Sequence, residues 1–316
     1  MSCKKDLIVI CGPTASGKTA LGVQIALQTN GEIISADSRQ VYRGMDIGTG
    51  KDLKEYQTTE KSIRYHLIDV ADPAQIYTLF HYQNDFYETF DKIVSRKHLP
   101  IMVGGTGLYI EAVLKNYDIP AIPENPQLRA ELMNEEKSEL EKKLFNLSKP
   151  IYEKTDRSSK KRIIRALEVA MSEQIATPKH HKSRKIEPLV LCTKWERVKL
   201  RQRIDARLEA RFKEGMIEEV RKLLQSGISI ERFSLFGMEY KHVASFIDGE
   251  VDYETMVKEL RQSIHQLAKR QETWFRGMER RGFKVNWINE ANVQSALEIV
   301  EKAMKMTFIN QQLSSA

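Results

Sequence analysis

Leu7-Ile8-Val9-Ile10-Cys11-Gly12-Pro13-Thr14-Ala15-Ser16-Gly17-Lys18-Thr19 is the stretch on which the fold turns. Five apolar residues ending at a glycine make the pattern of a strand buried on both faces. Gly12 to Thr19 then fit G-x-x-x-x-G-K-[ST], and Thr19 to Gln28 read as a helix. A phosphate-binding loop belongs in this context, directly after a strand and directly before a helix. Glycines there let backbone N–H groups turn toward a di- or triphosphate, and the helix aims its positive dipole end at the same place. Gly12, Pro13, Thr14, Ala15, Ser16, Gly17, Lys18 and Thr19 are therefore the candidate diphosphate-binding residues. Lys18 is expected to neutralise phosphate oxygens, and the Thr19 hydroxyl to coordinate Mg²⁺.

Outward from the loop, strands and helices alternate. Ile33 to Ala36, His66 to Val70 and Ile101 to Val103 read as further strands. Tyr77 to Arg96 and Leu108 to Lys115 read as helices, the first with an apolar stripe of Phe80, Phe86, Tyr87, Phe90 and Val94. That alternation argues for a parallel sheet. Near Ile119 the texture changes, with Pro120, Pro123 and Pro126 followed by charged helical sequence to about Ser172, in which Arg129 to Phe145 alternate acidic and basic residues as a mostly solvated helical face. Leu189 to Cys192 read as a strand returning to the sheet, and Lys199 to Arg280 as arginine-rich helix. The expected fold is α/β: a P-loop NTPase-like parallel sheet flanked by helices, with an inserted helical domain. Residues 1–119 and 188–316 form the core, and 120–187 the insertion.

Composition bounds the partners. The 316 residues carry 50 Lys and Arg against 43 Asp and Glu, a formal net charge of +7, which suits a polyanion without requiring one. Three cysteines without a C-x-x-C pair indicate a reducing compartment and no structural zinc. No apolar run is long enough to span a membrane, and a first strand at Leu7 leaves no room for a signal peptide. A cytoplasmic protein is expected, and a monomer.

The loop identifies an anion, not a reaction. Kinases and NTPases place ATP or GTP there, but an allylic diphosphate presents the same two phosphates. The reaction is chosen at the carboxyl ends of neighbouring strands, where ligands of open α/β sheets bind. Asp37 follows the second strand, where a carboxylate can ligate Mg²⁺, cap a helix or accept a substrate proton. Ser38-Arg39-Gln40 add groups able to bond a base edge or a phosphate. Thr106, in Gly104-Gly105-Thr106-Gly107, either caps a helix or touches substrate.

Taken together, Gly12–Thr19, Ile34–Thr49, His66–Asp69, Val103–Tyr109, Arg165–Val169, Leu267–Gln271 and Thr273–Arg276 resemble the tRNA dimethylallyltransferase (isopentenyltransferase) family. The resemblance runs in order over most of the chain and is far more specific than the loop alone. It implies transfer of a dimethylallyl group from dimethylallyl diphosphate to N6 of adenosine 37, next to the anticodon. The implied substrates are tRNAs reading codons that start with U, and the by-product is diphosphate. By the same resemblance Asp37 is the base, and Lys18 and Thr106 complete the catalytic set. Asp37, Ser38, Arg39, Gln40 and Thr106 would meet the tRNA anticodon stem-loop, as would Arg129, Lys161, Arg162, Ile163, Ile164 and Arg165 in the insertion.

Lys179 to Lys185 reads as either a solvated loop or a phosphate-tracking surface, and Trp274 as core rather than a stacking platform. The resemblance also implies a channel that the base enters at one end and the prenyl donor at the other, and either Lys269 or Arg270 could reach it. Phe236 to Lys241 departs from the family's Gly-Tyr-(Lys/Arg) turn, so that Tyr240-Lys241 align with two residues intervening after Gly237. Three other readings compete: an adenylate isopentenyltransferase, a small-molecule P-loop kinase, and a non-catalytic RNA-binding module.

Overall fold

The computed structural model describes residues 5–172 and 185–304. They divide into two compact units, residues 5–117 with 185–304 and residues 118–172. The elements of the first unit's N-terminal part are β1 (Leu7–Cys11), α1 (Lys18–Thr29), β2 (Gly31–Ser35), β3 (Tyr65–His66), α2 (Leu79–Ser95), β4 (Leu99–Gly104) and α3 (Gly107–Leu114). The second unit comprises α4 (Pro126–Met133), α5 (Lys137–Leu147), α6 (Lys149–Lys154) and α7 (Lys160–Ser172). The first unit resumes with β5 (Pro188–Lys194), α8 (Arg197–Glu214), α9 (Met216–Gln225), α10 (Phe233–Phe236), α11 (Met238–Ile247), α12 (Tyr253–Arg280), β6 (Val285–Asn289) and α13 (Val293–Met304). Glu187 already pairs with Asp6 beside β1, so the chain has rejoined this unit before residue 188.

One six-stranded sheet, ordered β3-β2-β4-β1-β5-β6 and parallel throughout, carries this unit. Alternate residues of β1 point to opposite faces. Leu7, Val9 and Cys11 join α2 residues Phe86 and Phe90 on one side. Ile8 and Ile10 join α1 and α13 on the other, against Leu21, Ile25 and Val300. Burial on both sides explains the unbroken apolar run. A third core, around Leu208, Val220, Tyr240 and Leu260, binds α8 to α12 into a helical layer.

Four details differ from the sequence reading. The third strand stops at His66 rather than Val70, because Leu67 and Asp69 adopt positive φ (60° and 57°), which ends extended pairing. On α2 the buried face runs through Tyr82, Phe86, Phe90 and Ile93, while Val94 is exposed and Phe80 only partly buried. The charged stretch Arg129–Phe145 is two helices, α4 and α5, parted at residues 134–136. Past Arg280, where no element was expected, β6 forms an edge strand with only Ile288 fully buried, too weak a pattern to read.

The smaller unit packs α5 and α7 around Leu140, Leu144, Ile163, Ile164 and Leu167. Its first helix starts on Asn125, whose side-chain oxygen accepts the Leu128 N–H at 3.0 Å, with Pro126 pre-set at the first turn. Asn125→Ala is expected to lower the stability of this unit by about 1 kcal/mol. Thermal denaturation followed by circular dichroism checks it, and an unchanged midpoint would remove the cap from the account.

Candidate active site

The sheet delivers four loop starts to its carboxyl edge: the P-loop after β1, Asp37 after β2, Gly104–Thr106 after β4 and Trp195 after β5. Gly12 sits at φ 148°, and a Cβ there would lie 2.0 Å from Thr193 Oγ1, so both backbone and space demand glycine. Gly17 precedes α1 in the left-handed region, and no side chain caps the helix. The first-turn N–H groups of α1 thus have no side-chain cap to turn them from an anion.

The loop is braced from outside. Ser16 Oγ and Thr193 Oγ1 are 2.6 Å apart. Trp195 Nε1 donates to Ser16 O at 3.0 Å, and Arg203 Nε to Ala15 O at 2.9 Å. Gln271 accepts the Thr14 N–H at 2.8 Å and donates to Gly105 O at 3.0 Å, joining two loops. The Thr14 amide therefore faces Gln271 rather than the cradle, a departure from the expected ring of inward amides. Gly12 and Pro13 are buried and line neither of the two cavities that the other loop residues border; they shape the turn.

A cavity of about 520 Å³ is lined by Thr14, Lys18, Thr19, Asp37, Thr106 and Arg207, among others. A second of about 310 Å³ is lined by Ala15 to Thr19 with Asp52, Glu55, Arg203 and Arg207. Lys18, Thr19 and Arg207 border both. Lys18 Nζ donates to Pro13 O at 2.6 Å. Burial, then the nearby Arg207 charge, lower its pKa to about 8, with Asp37 opposing. A lysine so destabilised as a cation gains from an arriving anion.

Asp37 Oδ1 accepts the Arg39 N–H at 2.9 Å, closing a tight turn. Thr106 occupies the N-cap position of α3 but its hydroxyl makes no cap bond; it accepts the Ser38 N–H at 3.0 Å and donates to Ser38 Oγ at 3.4 Å. Thr106 therefore pins the Asp37–Gln40 turn. Gln40 lines the cavity with its amide committed, donating to Gly50 O at 2.9 Å and accepting from Ser35 Oγ at 3.1 Å. Arg39 donates to Leu235 O.

The insertion's candidates behave differently from one another. Ile163 and Ile164 are core residues, 0% and 2% exposed, so their side chains are not available to RNA. Arg129 forms a fork on Glu168, with bonds of 2.9 and 2.7 Å, and meets Glu124 at 2.8 Å. Arg165 bonds the same Glu168 and Ile122 O. Burial alone would raise the Glu168 pKa, but the Arg129, Asn125 and Arg165 bonds outweigh it and hold it low. Arg129 and Arg165 thus brace the insertion's own carboxylate. Lys161 and Arg162 are exposed, Arg162 pairing with Asp156. Of Lys179–Lys185, only Lys185 lies within the described residues.

The cavity also gathers Arg211 of α8 and Glu239, which sequence reasoning passed over, beside Arg207, Lys241 and Arg270, and Arg203 touches the loop. Arg203, Arg207 and Arg211 recur every four residues, a one-face spacing legible in the arginine-rich helical sequence. Arg270 faces the cavity, whereas Lys269 lines a separate groove of about 750 Å³ between α8 and α12 that holds no P-loop residue. Gly237, at φ 123°, starts α11, which buries Tyr240 and leaves Lys241 at the cavity wall. Trp274 is not core: it is 37% exposed, with the Arg281 guanidinium 5.1 Å from its ring centre.

A family model described as IPP transferase matches residues 40–278. The chain is 45% identical over 309 residues to tRNA dimethylallyltransferase 1 of Parabacteroides distasonis, covering 98% of this chain and 99% of that one. It is 48% identical over 300 residues to tRNA dimethylallyltransferase 2 of Porphyromonas gingivalis, covering 95% and 98%. The solved structure of the full-length tRNA isopentenylpyrophosphate transferase from Bacillus halodurans superimposes with a TM-score of 0.69 at 30% identity, covering 96% of this chain and 97% of that one.

Proposed function

Because the chain belongs to the IPP transferase family, we propose that it moves the dimethylallyl group of dimethylallyl diphosphate onto N6 of adenosine 37, next to the anticodon of tRNA. The observation that carries this reading is a single cavity bordered by Lys18, Thr19, Asp37 and Thr106. There a diphosphate-binding loop faces a carboxylate suited to accept a proton.

An exocyclic adenine amine is a weak nucleophile, since its lone pair is delocalised into the ring. In the proposed step N6 forms a bond to the allylic carbon, the carbon–oxygen bond to diphosphate breaks, and the N6 proton passes to Asp37. A base so placed contributes about 10²–10⁴-fold. Charge gathers on the departing diphosphate, where fixed cations stabilise it; Lys18 and Arg207 border that position. Thr19 shares the smaller cavity with Asp52 and Glu55, and no cluster of three metal-binding side chains exists among the described residues. That donor set fits Mg²⁺ held by one hydroxyl and substrate oxygens. The ion would offset diphosphate charge.

An anticodon-loop base reaches such a cavity only when extruded from its stack. Ser38, Arg39, Gln40 and Thr106 would then border the flipped nucleotide, and Lys161 and Arg162 would meet the RNA backbone. No helix among the described residues is long and apolar enough to cross a membrane. The reading is tested with labelled dimethylallyl diphosphate and unmodified tRNA carrying A36-A37: label is expected in the RNA without ATP. Labelling of AMP instead favours an adenylate isopentenyltransferase, and ATP turnover favours a kinase.

A further inference from the structure

Arg211 lies one helical turn beyond Arg207 on α8, is 7% exposed, and lines the cavity of Lys18 and Asp37. Its hydrogen-bond partner among the described residues is the Gly48 carbonyl, at 3.2 Å from Nη1. A guanidinium has five donors in a planar fork that matches phosphate oxygens, so most of that capacity is unspent. Arg207, by contrast, already meets the Asp52 carboxylate at 3.1 Å. Burial and the Arg207 charge bring the Arg211 pKa down to about 10, which leaves it a cation at neutral pH. Facing it from α11 are Glu239, whose own pKa burial raises, and Lys241.

The loop that meets Arg211 is held from behind. Glu219 on α9 accepts the N–H groups of Asp46, Ile47 and Gly48 at 2.8, 2.7 and 3.0 Å. It also accepts the Tyr240 hydroxyl at 2.7 Å. Three consecutive amides on one carboxylate set the path of residues 46–48 and present the Gly48 carbonyl to α8. Two residues on, Gly50 has φ 62°, and a Cβ there would lie 1.6 Å from Arg211 Nη2 and 2.0 Å from Arg207 Nη2. Both guanidiniums press against backbone that only glycine leaves open.

We propose that Arg211 binds a phosphate oxyanion in this cavity and that Glu219 is the positioning residue that orients it through residues 46–50. The proposal rests on the function given above, and two sources supply the oxyanion: the donor's diphosphate or a phosphodiester of the RNA. The full-length chain is titrated separately with inorganic diphosphate and with an unmodified anticodon stem-loop RNA, alongside Arg211→Met, Arg211→Lys and Glu219→Gln.

Arg211→Met is expected to lose about tenfold or more in affinity for one probe, with partial recovery in Arg211→Lys and a smaller loss of the same kind in Glu219→Gln. Loss confined to diphosphate identifies the donor. Loss confined to RNA, with a salt slope shallower by about one, identifies the phosphodiester. Natural affinity for both probes in Arg211→Met overturns the proposal, and so do equal losses in Arg211→Met and Arg211→Lys, which would mark a packing role. If Arg211→Met does not fold, the other two variants decide, and unchanged affinity in both overturns it. Absence of prenyl transfer by the natural chain would sink the proposed function instead, a result these titrations do not depend on.

Discussion

Asp37→Asn is expected to lower the single-turnover rate of prenyl transfer by about 10²–10⁴-fold, far more than it lowers tRNA affinity. The substitution is chosen for what it preserves. Asp37 Oδ1 accepts the Arg39 N–H, and an amide oxygen can do the same, so the turn over Ser38–Gln40 stays closed. Thr106 still holds that turn through Ser38. What disappears is the capacity to take the N6 proton. Rapid-quench rates at saturating substrates, beside filter-binding affinity for tRNA, separate the two effects. Equal losses in rate and affinity would show that Asp37 only shapes the RNA-binding turn.

Lys18→Met is the second large effect, with turnover falling by about 10²–10³-fold. The ammonium is the cation closest in sequence to the uncapped start of α1, and charge builds on the diphosphate there as the carbon–oxygen bond breaks. The lysine carries a pH signature as well. Its pKa stands at about 8, below the ordinary 10.5, because burial and Arg207 disfavour the charged form. Below pH 8 the free enzyme holds the proton; above it the ammonium is lost and the donor must bring the proton back to bind. The kcat/KM for dimethylallyl diphosphate should therefore fall as pH rises through 8, and Lys18→Met should lack that inflection. A natural enzyme with a flat profile from pH 7 to 9.5 would contradict the assignment. Folding responds in the opposite sense: between 8 and 10.5 the unfolded chain binds the extra proton, so stability rises with pH in that window.

Much of this site was legible before any coordinates. A buried strand, a glycine-lysine loop and a helix are local features, and each has a local physical signature. Asp37 and Thr106 could be placed because strand ends in a parallel sheet share one rim. Arg211 and Glu219 could not, since their partners lie 163 and 171–173 residues away in sequence. Gln271 bridges Thr14 and Gly105 across the same kind of gap. Ile163 and Ile164 were matched to RNA by a motif, yet their spacing on α7 is that of a buried face. There, packing prevailed over the motif.

The order of residues alone determined the phosphate-loop motif, the parallel α/β core and the place of a carboxylate at the end of the second strand, because backbone geometry and strand burial are written into neighbouring positions. The tertiary structure alone decided which arginines face the loop, which amides are already taken, and which carboxylates hold glycine-rich backbone in place. Those outcomes depend on helices that approach the sheet edge from far along the chain, and no local pattern encodes the direction in which a long cationic side chain will find its partner.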